Sequence, residues 1–337
     1  MADRLRQAGA EVHVLGRRRP SLLQFFRFAS YMAGGLRDLA RLCASIRPDV
    51  IHCHLSDAVF LGFAASFFHK GSRVMLTKHT PVLFPKRSIL DPRNLLRKAA
   101  LWLIYRNIRY IAAVSEETRR NLLQGLGLSR DRVVTIPNGV EIPASARGKS
   151  EAAREALDLA PDETVILTVG RLVPVKGQTY LVEAMARLVD RYPTLTLLIA
   201  GEGPCRKELE KRIEELGLTG RVRLLGYRKE VLRLYAAAQV VVFPSLSEGT
   251  SLAIIEAMAA GRPIVATSVG GNLDLLQHQS TALLVQPEDA ASLAEAVAQC
   301  MEDPALATRL GAAARRKALA EHGIERTVAA YAALWSN

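Results

Sequence analysis

Short runs of β-branched and other apolar residues recur along this 337-residue chain, with helix-like segments between them. A first series lies at Val12–Leu15, Val50–His52, Val74–Thr77, Tyr110–Val114 and Val133–Ile136. A second series lies at Val165–Val169, Leu195–Ala200, Val222–Leu225, Val240–Phe243, Ile264–Ala266 and Ala282–Val285. Strands that alternate with helices predict parallel sheets covered by helices on both faces. Two series predict two doubly wound, Rossmann-like α/β domains, and the length suits two cores.

A turn and a stretch of small residues separate the two series. Pro137-Asn138-Gly139 is a turn signal, and Pro143–Ser150 is predicted to be a linker. The predicted domains are therefore 1–143 and 144–318. The remaining segment, 319–337, contains an amphipathic helix over Ile324–Trp335, which we expect to pack back on the N-terminal domain.

The beginning of the chain departs from the usual order of such a domain. A helix over Asp3–Ala8 comes first, whereas a Rossmann-like domain usually opens with a strand and a glycine-rich turn. That strand would lie centrally in the sheet, and its neighbours need it as a hydrogen-bonding partner. We therefore expect that the first domain is truncated at its start and lacks both its first strand and its glycine-rich loop.

The positive charge of the chain is concentrated in its first half. Residues 1–150 hold 25 Lys and Arg against 10 Asp and Glu, whereas the remainder holds 20 against 23. This asymmetry predicts an acidic partner, and an anionic membrane surface is favoured because no nucleic-acid-binding motif is present. Two segments, Arg17–Phe28 and Lys86–Tyr110, combine cations with bulky apolar residues as membrane-surface helices do. The alternative is that their apolar residues are core and their charges a solvated face.

The cysteines and the apolar runs indicate the cellular compartment of the protein. Cys43, Cys53, Cys205 and Cys300 form no CxxC pair, so neither a disulfide framework nor a zinc ribbon is indicated. No secretory signal peptide is evident, and the longest uncharged apolar run, Ala58–Phe68, is shorter than the roughly 20 residues that span a bilayer. We expect a cytoplasmic protein with at most peripheral contact to the inner face of the membrane.

The strongest chemical pattern is Glu248–Glu256, directly after the predicted strand Val240–Phe243. Gly249, Thr250, Ser251 and Leu252 are predicted to form the N-terminus of a helix, whose free N–H groups attract a phosphate. Glu256 would then lie further along the helix, where its carboxylate can accept hydrogen bonds from ribose hydroxyls. The alternative is that Thr250 or Ser251 merely caps the helix and both glutamates are solvated.

A second pattern follows the strand Val165–Val169. Gly170 and Arg171 begin a loop that reaches Lys176, and two cations at the carboxyl end of a strand can neutralise a diphosphate. The alternative is a solvated surface pair. Because no Asp-x-Asp occurs in the chain, we expect neither a metal ion nor a cofactor.

Two further patterns are weak. His52-Cys53-His54 resembles part of a metal site, but a structural hydrogen bond is the favoured interpretation. Gly201-Glu202-Gly203 resembles part of a dinucleotide fingerprint, whose third glycine and downstream acid are lacking.

Taken together, these motifs resemble the retaining glycosyltransferases of family 4, which have the GT-B fold of two Rossmann-like domains facing a cleft. The resemblance runs from about residue 11 to the C-terminus, with the motifs in the family's order. It is carried by Gly170-Arg171, Lys176-Gly177, Ala200–Pro204, Leu225–Tyr227, Glu248–Glu256, Glu256–Thr267 and Val269–Asn272.

The resemblance implies a role for each matching residue. Arg171 and Lys176 would bind the donor diphosphate, Glu256 the ribose, and Glu248 the hydroxyls of the transferred sugar. His79 would contact that sugar from the acceptor side and is implied to be catalytic together with Glu248, Arg171 and Lys176. The implied donor-binding residues are Gly170, Arg171, Lys176, Tyr227, Arg228, Glu248, Gly249, Thr250, Ser251, Leu252 and Glu256, with Tyr227 and Arg228 beside the base.

The expected activity is transfer of a sugar from a nucleoside-diphosphate sugar to an acceptor, with retention of anomeric configuration. By analogy the acceptor is a lipid-linked glycan in cell-surface polysaccharide or lipopolysaccharide synthesis. Two alternatives stay open: a sugar-nucleotide epimerase of the same fold, and a non-catalytic or truncated sugar-nucleotide-binding protein.

Overall fold

The computed structural model describes residues 2–14, 25–54, 56–69, 71–79, 92–142 and 150–336. The chain divides into two compact units. The first unit consists of Met1–Lys78, Phe84–Ala112 and Leu126–Val134, and the second of His79–Leu83, Ala113–Gly125 and Thr135–Asn337.

Four strands form the first sheet, in the order β1-β2-β3-β4. They are β1 (Val50–His54), β2 (Arg73–Lys78), β3 (Tyr110–Ala113) and β4 (Val133–Thr135), and β1 runs parallel to β2. The helices of this part of the chain are α1 (Ala2–Gln7), α2 (Phe25–Ile46), α3 (Ser56–Ser66), α4 (Pro92–Asn107) and α5 (Glu116–Leu126). Four of the five strands predicted for the first series are thus confirmed.

The remaining strand predicted for the first series, at Val12–Leu15, is not formed by the residues that the structure describes, so this prediction is wrong for them. Residues 12–14 have no regular secondary structure, and Leu15 lies outside the described residues. Val14 is 70% exposed, although its β-branched neighbours suggested a buried strand. A strand is stabilised by pairing with a neighbour, and no described strand pairs with this segment.

Six strands form the second sheet, in the order β10-β9-β8-β5-β6-β7, and all of their pairings are parallel. They are β5 (Thr164–Val169), β6 (Leu195–Ala200), β7 (Val222–Gly226), β8 (Val240–Phe243), β9 (Ile264–Thr267) and β10 (Leu283–Val285). Every strand of the predicted second series is present. Since the strands are parallel, the loops that follow them meet at one edge of the sheet.

Helices cover both faces of this second sheet. The helices of this part of the chain are α6 (Ser150–Glu155), α7 (Gln178–Leu188), α8 (Arg206–Glu215), α9 (Val231–Ala237), α10 (Leu252–Ala259), α11 (Asn272–Leu275), α12 (Ala290–Glu302), α13 (Pro304–Glu321) and α14 (Ile324–Ser336). Val165 and Leu167 of β5 pack into one hydrophobic core and Ile166 into the other, as the two-residue period of a strand requires. All three are fully buried, and each contributes about 1.5–3 kcal/mol to folding.

The beginning of α14 is tied to the turn before the predicted linker. The amide of Val140 donates to the carbonyl of His322 at 2.9 Å, and Thr327 Oγ1 donates to the carbonyl of Pro137 at 3.0 Å. Most of the predicted linker, residues 143–149, lies outside the described residues.

The predicted membrane-surface segments are described only in part. Residues 15–24 and 80–91 lie outside the described residues, and α4 represents the second segment. On α4, Trp102 and Leu103 are 41% and 56% exposed, and the Arg106 guanidinium lies 4.6 Å from the centre of the Trp102 ring. Within the described ranges, no helix combines the length and the apolar character needed to cross a bilayer.

Candidate active site

Five loops converge at the carboxyl edge of the second sheet. The predicted donor-binding residues lie on three of these loops and, for Leu252 and Glu256, on helix α10. Gly170–Lys176 follows β5, Gly201 follows β6, and Tyr227 follows β7. The loop 244–251 follows β8 and leads into α10, and the loop 268–271 follows β9. The parallel topology therefore brings together residues that are up to about a hundred positions apart in sequence.

The loops after β5 and β8 are held against each other by their backbones. The amide of Leu246 donates to the carbonyl of Val175 at 2.8 Å. Gly177 lies so close to Pro244 that a Cβ atom at position 177 would be 2.1 Å from the Pro244 carbonyl oxygen. Only glycine permits this approach, and it fixes the position of the preceding Lys176.

Lys176 and Glu248 form an ion pair across these two loops. The Lys176 Nζ donates to Glu248 Oε1, and the two side chains are 19% and 10% exposed. Ser245 Oγ donates to the same Glu248 oxygen at 2.8 Å. The structure thus brings together the residues predicted to bind the diphosphate and the sugar, and it adds Ser245, which the sequence did not single out.

The loop after β9 also contacts the backbone at Glu248. The amide of Gly271 donates to the Glu248 carbonyl at 3.0 Å. A Cβ atom at position 271 would lie 1.3 Å from the carbonyl oxygen of Gly249. Thr267 Oγ1 donates to the Ser245 carbonyl, and Asn272 Nδ2 donates to the Thr267 carbonyl at 3.0 Å. The backbone around Glu248 is therefore held from two neighbouring loops.

Arg171 differs from Lys176 in its surroundings. Its side chain is exposed, and its guanidinium makes no hydrogen bond or ion pair with any residue in the described part of the chain. Its backbone carbonyl accepts a hydrogen bond from Gln178 Nε2 at 2.9 Å, so the loop is fixed even though the side chain is not. An exposed arginine on an ordered loop can bind an anion from solution with both edges of its guanidinium.

The N-terminus of α10 is not capped by a side chain. Ser251 is the residue before the helix and is buried, yet its hydroxyl makes no capping hydrogen bond. Thr250 Oγ1 donates instead to the carbonyl of Val114 at 3.0 Å, within the same unit. The simple capping interpretation of these residues is therefore wrong, and the first N–H groups from Leu252 onward have no side-chain acceptor in the described structure.

Glu256 lies in the second turn of α10, facing α9. The Tyr235 hydroxyl on α9 is 2.9 Å from the carbonyl oxygen of Ala253 and 3.4 Å from Glu256 Oε2. Burial raises the pKa of Glu256, and the hydrogen bond from Tyr235 lowers it. Glu256 was predicted to contact a ligand, but nothing in the sequence identified Tyr235 as its neighbour, because a tyrosine in an apolar helix is usually core.

Tyr227 and Arg228 lie after β7 and are exposed, Tyr227 by 72%. His79 directly follows β2 and is half-buried.

The two weak patterns have structural explanations. His52 Nε2 lies 2.8 Å from Thr77 Oγ1 on the neighbouring strand, which is the predicted structural hydrogen bond. Among the residues that the structure describes, no group of three His, Cys, Asp or Glu side chains is arranged to hold a metal ion. A Cβ atom at Gly201 would lie 1.8 Å from the Gly170 carbonyl oxygen, so close packing of two loops accounts for this glycine.

An open cavity lies at the opposite edge of the second sheet, between the strand beginnings and α13. Two of the arginines that line it contact the ends of helices. Arg262 Nη2 donates to the Ala236 carbonyl in α9 at 2.8 Å, and Arg315 Nη1 donates to the Ala259 carbonyl at the end of α10. These cations stabilise carbonyls that the helices leave without partners.

Comparison with known proteins agrees with this geometry. The family model described as "Glycosyl transferases group 1" matches residues 149–317, and the model described as "Glycosyltransferase Family 4" matches residues 1–142. The alpha-D-kanosaminyltransferase of Streptomyces kanamyceticus is 30% identical over 296 residues, covering 82% of this chain and 73% of that protein. The UDP-Gal:alpha-D-GlcNAc-diphosphoundecaprenol alpha-1,3-galactosyltransferase of Escherichia coli is 27% identical over 284 residues. This match covers 80% of this chain and 71% of that protein.

A solved structure extends the comparison to the fold. HepE of Anabaena in complex with UDP superposes with a TM-score of 0.80 at 26% identity, covering 99% of this chain and 88% of HepE. HepE was also solved in complex with UDP-glucose. The two parallel sheets and the matching family models confirm the GT-B fold. The chain belongs to glycosyltransferase family 4, and it is a hexosyltransferase-type enzyme that uses a nucleotide sugar as donor.

Proposed function

We propose that this enzyme transfers a hexose from a nucleoside-diphosphate sugar to a lipid-linked saccharide, with retention of configuration and without a metal ion. The observation that carries the donor half is the Lys176–Glu248 pair beside the uncapped N-terminus of α10. A cation, a carboxylate and a row of N–H donors at one sheet edge match a diphosphate with a sugar attached.

In this proposal each residue has a distinct task. Arg171, Lys176 and the N–H groups at Gly249–Leu252 bind the diphosphate and stabilise it as it leaves. Such preorganised charge is a large source of catalytic power. Glu256 accepts hydrogen bonds from the ribose hydroxyls and Glu248 from the hydroxyls of the sugar. His79 acts from the acceptor side, and Tyr227 and Arg228 lie beside the base.

The donor proposal is tested by thermal shift against UDP-, GDP- and ADP-sugars with EDTA present throughout. We expect stabilisation by one nucleotide class, since a bound ligand stabilises the folded state by about 2.7 kcal/mol at a hundredfold excess over its Kd. Stabilisation that appears only after Mg²⁺ or Mn²⁺ is added would contradict the metal-independent site.

The stereochemical proposal has its own test. The anomeric configuration of the new glycosidic bond is read by NMR and compared with that of the donor sugar. Retention supports same-face attack on the donor sugar, and an inverted product would contradict it.

The acceptor proposal rests on the E. coli relative, whose name describes transfer to a diphosphoundecaprenol-linked sugar, and on the exposed apolar residues of α4. Trp102 and Leu103 beside Arg106 provide apolar insertion and positive charge, which together bind an anionic bilayer. We propose that the enzyme docks to the inner face of the cytoplasmic membrane through this surface.

Docking is measured by co-sedimentation with phosphatidylglycerol vesicles, with phosphatidylcholine vesicles as the neutral reference. We expect the double substitution Trp102→Ala, Leu103→Ala to weaken binding to the anionic vesicles. The matched control is Leu319→Ala, which removes an equally exposed leucine from the second unit. Equal losses in the two variants would contradict docking through α4.

A further inference from the structure

Tyr235 is a fully buried aromatic residue whose hydroxyl faces the helix that carries Glu256. Its side chain belongs to a core cluster with Ile254, Ile255 and Met258 of α10. A buried hydroxyl needs a hydrogen-bond partner, and this one lies 2.9 Å from the Ala253 carbonyl oxygen and 3.4 Å from Glu256 Oε2. Its single proton is shared between a backbone oxygen and a carboxylate.

The two carboxylate oxygens of Glu256 have different surroundings. Oε2 faces Tyr235, whereas Oε1 accepts no hydrogen bond from the described residues and is not closed off from solvent. One oxygen is therefore oriented by the protein while the other stays available to a ligand. A carboxylate held in this way has lost rotational freedom before the ligand arrives, which reduces the entropic cost of binding.

We propose that Tyr235 is a positioning residue for the nucleotide site: its hydroxyl orients the Glu256 carboxylate and keeps it ionised for the ribose. This inference rests on the proposed function, because it assigns the ribose contact to Glu256. A phenylalanine would fill the same space in the core but lack the hydroxyl. The Glu256 carboxylate would then be buried with less support for its charged form.

The direction in which pH changes nucleotide binding follows from what raises and what lowers the pKa of Glu256. Burial raises the pKa of Glu256, and the Tyr235 hydroxyl opposes that rise. Removing the hydroxyl raises the pKa further. Because the ribose hydroxyls donate to the ionised carboxylate, binding weakens as the pH falls through this pKa, and without Tyr235 the weakening begins at a higher pH.

Other charged groups on the elements around α10 have different partners or positions. The Asp274 carboxylate on α11 accepts from the Glu117 amide, Arg315 of α13 donates to Ala259 at the far end of α10, and Lys317 donates to the Asp274 carbonyl. The remaining charged residues on α9 and α13 are Arg233, Arg309, Arg316 and Glu321. None of these charges shifts the pKa of Glu256, which responds to burial and to Tyr235.

The test measures nucleotide affinity by calorimetry between pH 5 and pH 8. The probe is whichever of UDP, GDP and ADP the unaltered chain binds. For Tyr235→Phe we expect affinity about two- to tenfold weaker at pH 8, the usual effect of one hydrogen bond, and a weakening that begins at higher pH than in the unaltered chain. The matched control is Tyr192→Phe, which removes another tyrosine–glutamate hydrogen bond, to Glu302, at the far edge of the same unit.

The outcomes separate the inference from the function on which it rests. Tyr235→Phe with the pH profile of the unaltered chain overturns the positioning role, whatever its overall affinity, because loss of packing alone weakens binding equally at every pH. Glu256→Gln should bind weakly and lose the pH-dependent step that belongs to this carboxylate. The titration of the nucleotide's own terminal phosphate, which lies at about pH 6 and is common to every variant, remains, and adding Tyr235→Phe should change the profile no further. Full affinity in Glu256→Gln, or no binding of any of the three nucleotides to the unaltered chain, overturns the proposed donor site and this inference with it.

Discussion

The two edges of the second sheet use charged residues in different ways. At the carboxyl edge, Lys176 and Glu248 contact each other and Arg171 extends without a partner in the described structure. At the opposite edge, Arg262 and Arg315 donate to backbone carbonyls of helices. Charges at the second edge thus stabilise helix carbonyls, whereas charges at the first edge lie on loops, where the proposed function assigns them to the donor.

Among the substitutions that test this difference between the two edges, we expect replacement of Lys176 to change turnover the most. We expect Lys176→Met to lower kcat about 10²- to 10³-fold, as removal of one preorganised donor to a developing negative charge does. Glu248 would also lose its ion-pair partner. The measurement is steady-state turnover with the nucleotide sugar identified by thermal shift, and turnover within threefold of the unaltered enzyme would contradict the assignment.

Gly271→Ala should disturb the same edge through the backbone. Because the new Cβ would overlap the Gly249 carbonyl, the loop that carries Glu248 has to move, and overpacking of this kind costs about 1–3 kcal/mol of stability. We expect turnover per folded molecule to fall as well. The control is Gly217→Ala, where the backbone is left-handed (φ 66°) but the space around the new Cβ is open, so that only backbone strain opposes the substitution. Gly271 has φ −64°, so its substitution is opposed only by the overlap. Stability should fall in both variants and turnover only in Gly271→Ala.

Replacing Arg315 tests whether the charges at the opposite edge affect stability without affecting turnover. Arg315→Met removes the donor to the Ala259 carbonyl, so we expect a loss of about 0.5–1.5 kcal/mol in the free energy of unfolding. Chemical denaturation measures the loss, and kcat per folded molecule should stay unchanged. A tenfold fall in kcat would show that the two edges are not separate in function.

The smallest effect is expected at Arg316, the neighbouring arginine on the rim of the same cavity. It is exposed and has no partner among the described residues, so Arg316→Ala should change the free energy of unfolding by no more than about 0.5 kcal/mol. A loss as large as that of Arg315→Met would mean that overall charge, rather than the contact with Ala259, stabilises this edge.

The sequence predicted the second sheet well because its strands are buried on both faces. Runs such as Val165–Val169 are apolar apart from one threonine, which leaves little ambiguity about where a central parallel strand lies. The run at Val12–Leu15 is also mostly apolar but has no described neighbour, and composition does not report whether a partner strand is present.

The sequence named candidate residues for the site, but it did not show which of them contact one another. Glu248, Arg171 and Lys176 stand out because they follow buried strands at the carboxyl edge of a parallel sheet, and Glu256 because it lies on the helix that begins just after Glu248. Ser245 also follows a strand, and that position was a usable signal. Tyr235 gave none, since its contact with Glu256 joins two helices and depends on how α9 packs beside α10.

The Lys176–Glu248 pair has a consequence for how tightly a donor is held. In this structure the carboxylate is the counterion of the lysine, so under the proposed function an arriving diphosphate replaces one anion with another. The gain in free energy is the difference between two electrostatic contacts rather than the whole of one. After transfer, the carboxylate competes with the nucleoside diphosphate for the same ammonium group, which favours product release and readies the site for the next turnover.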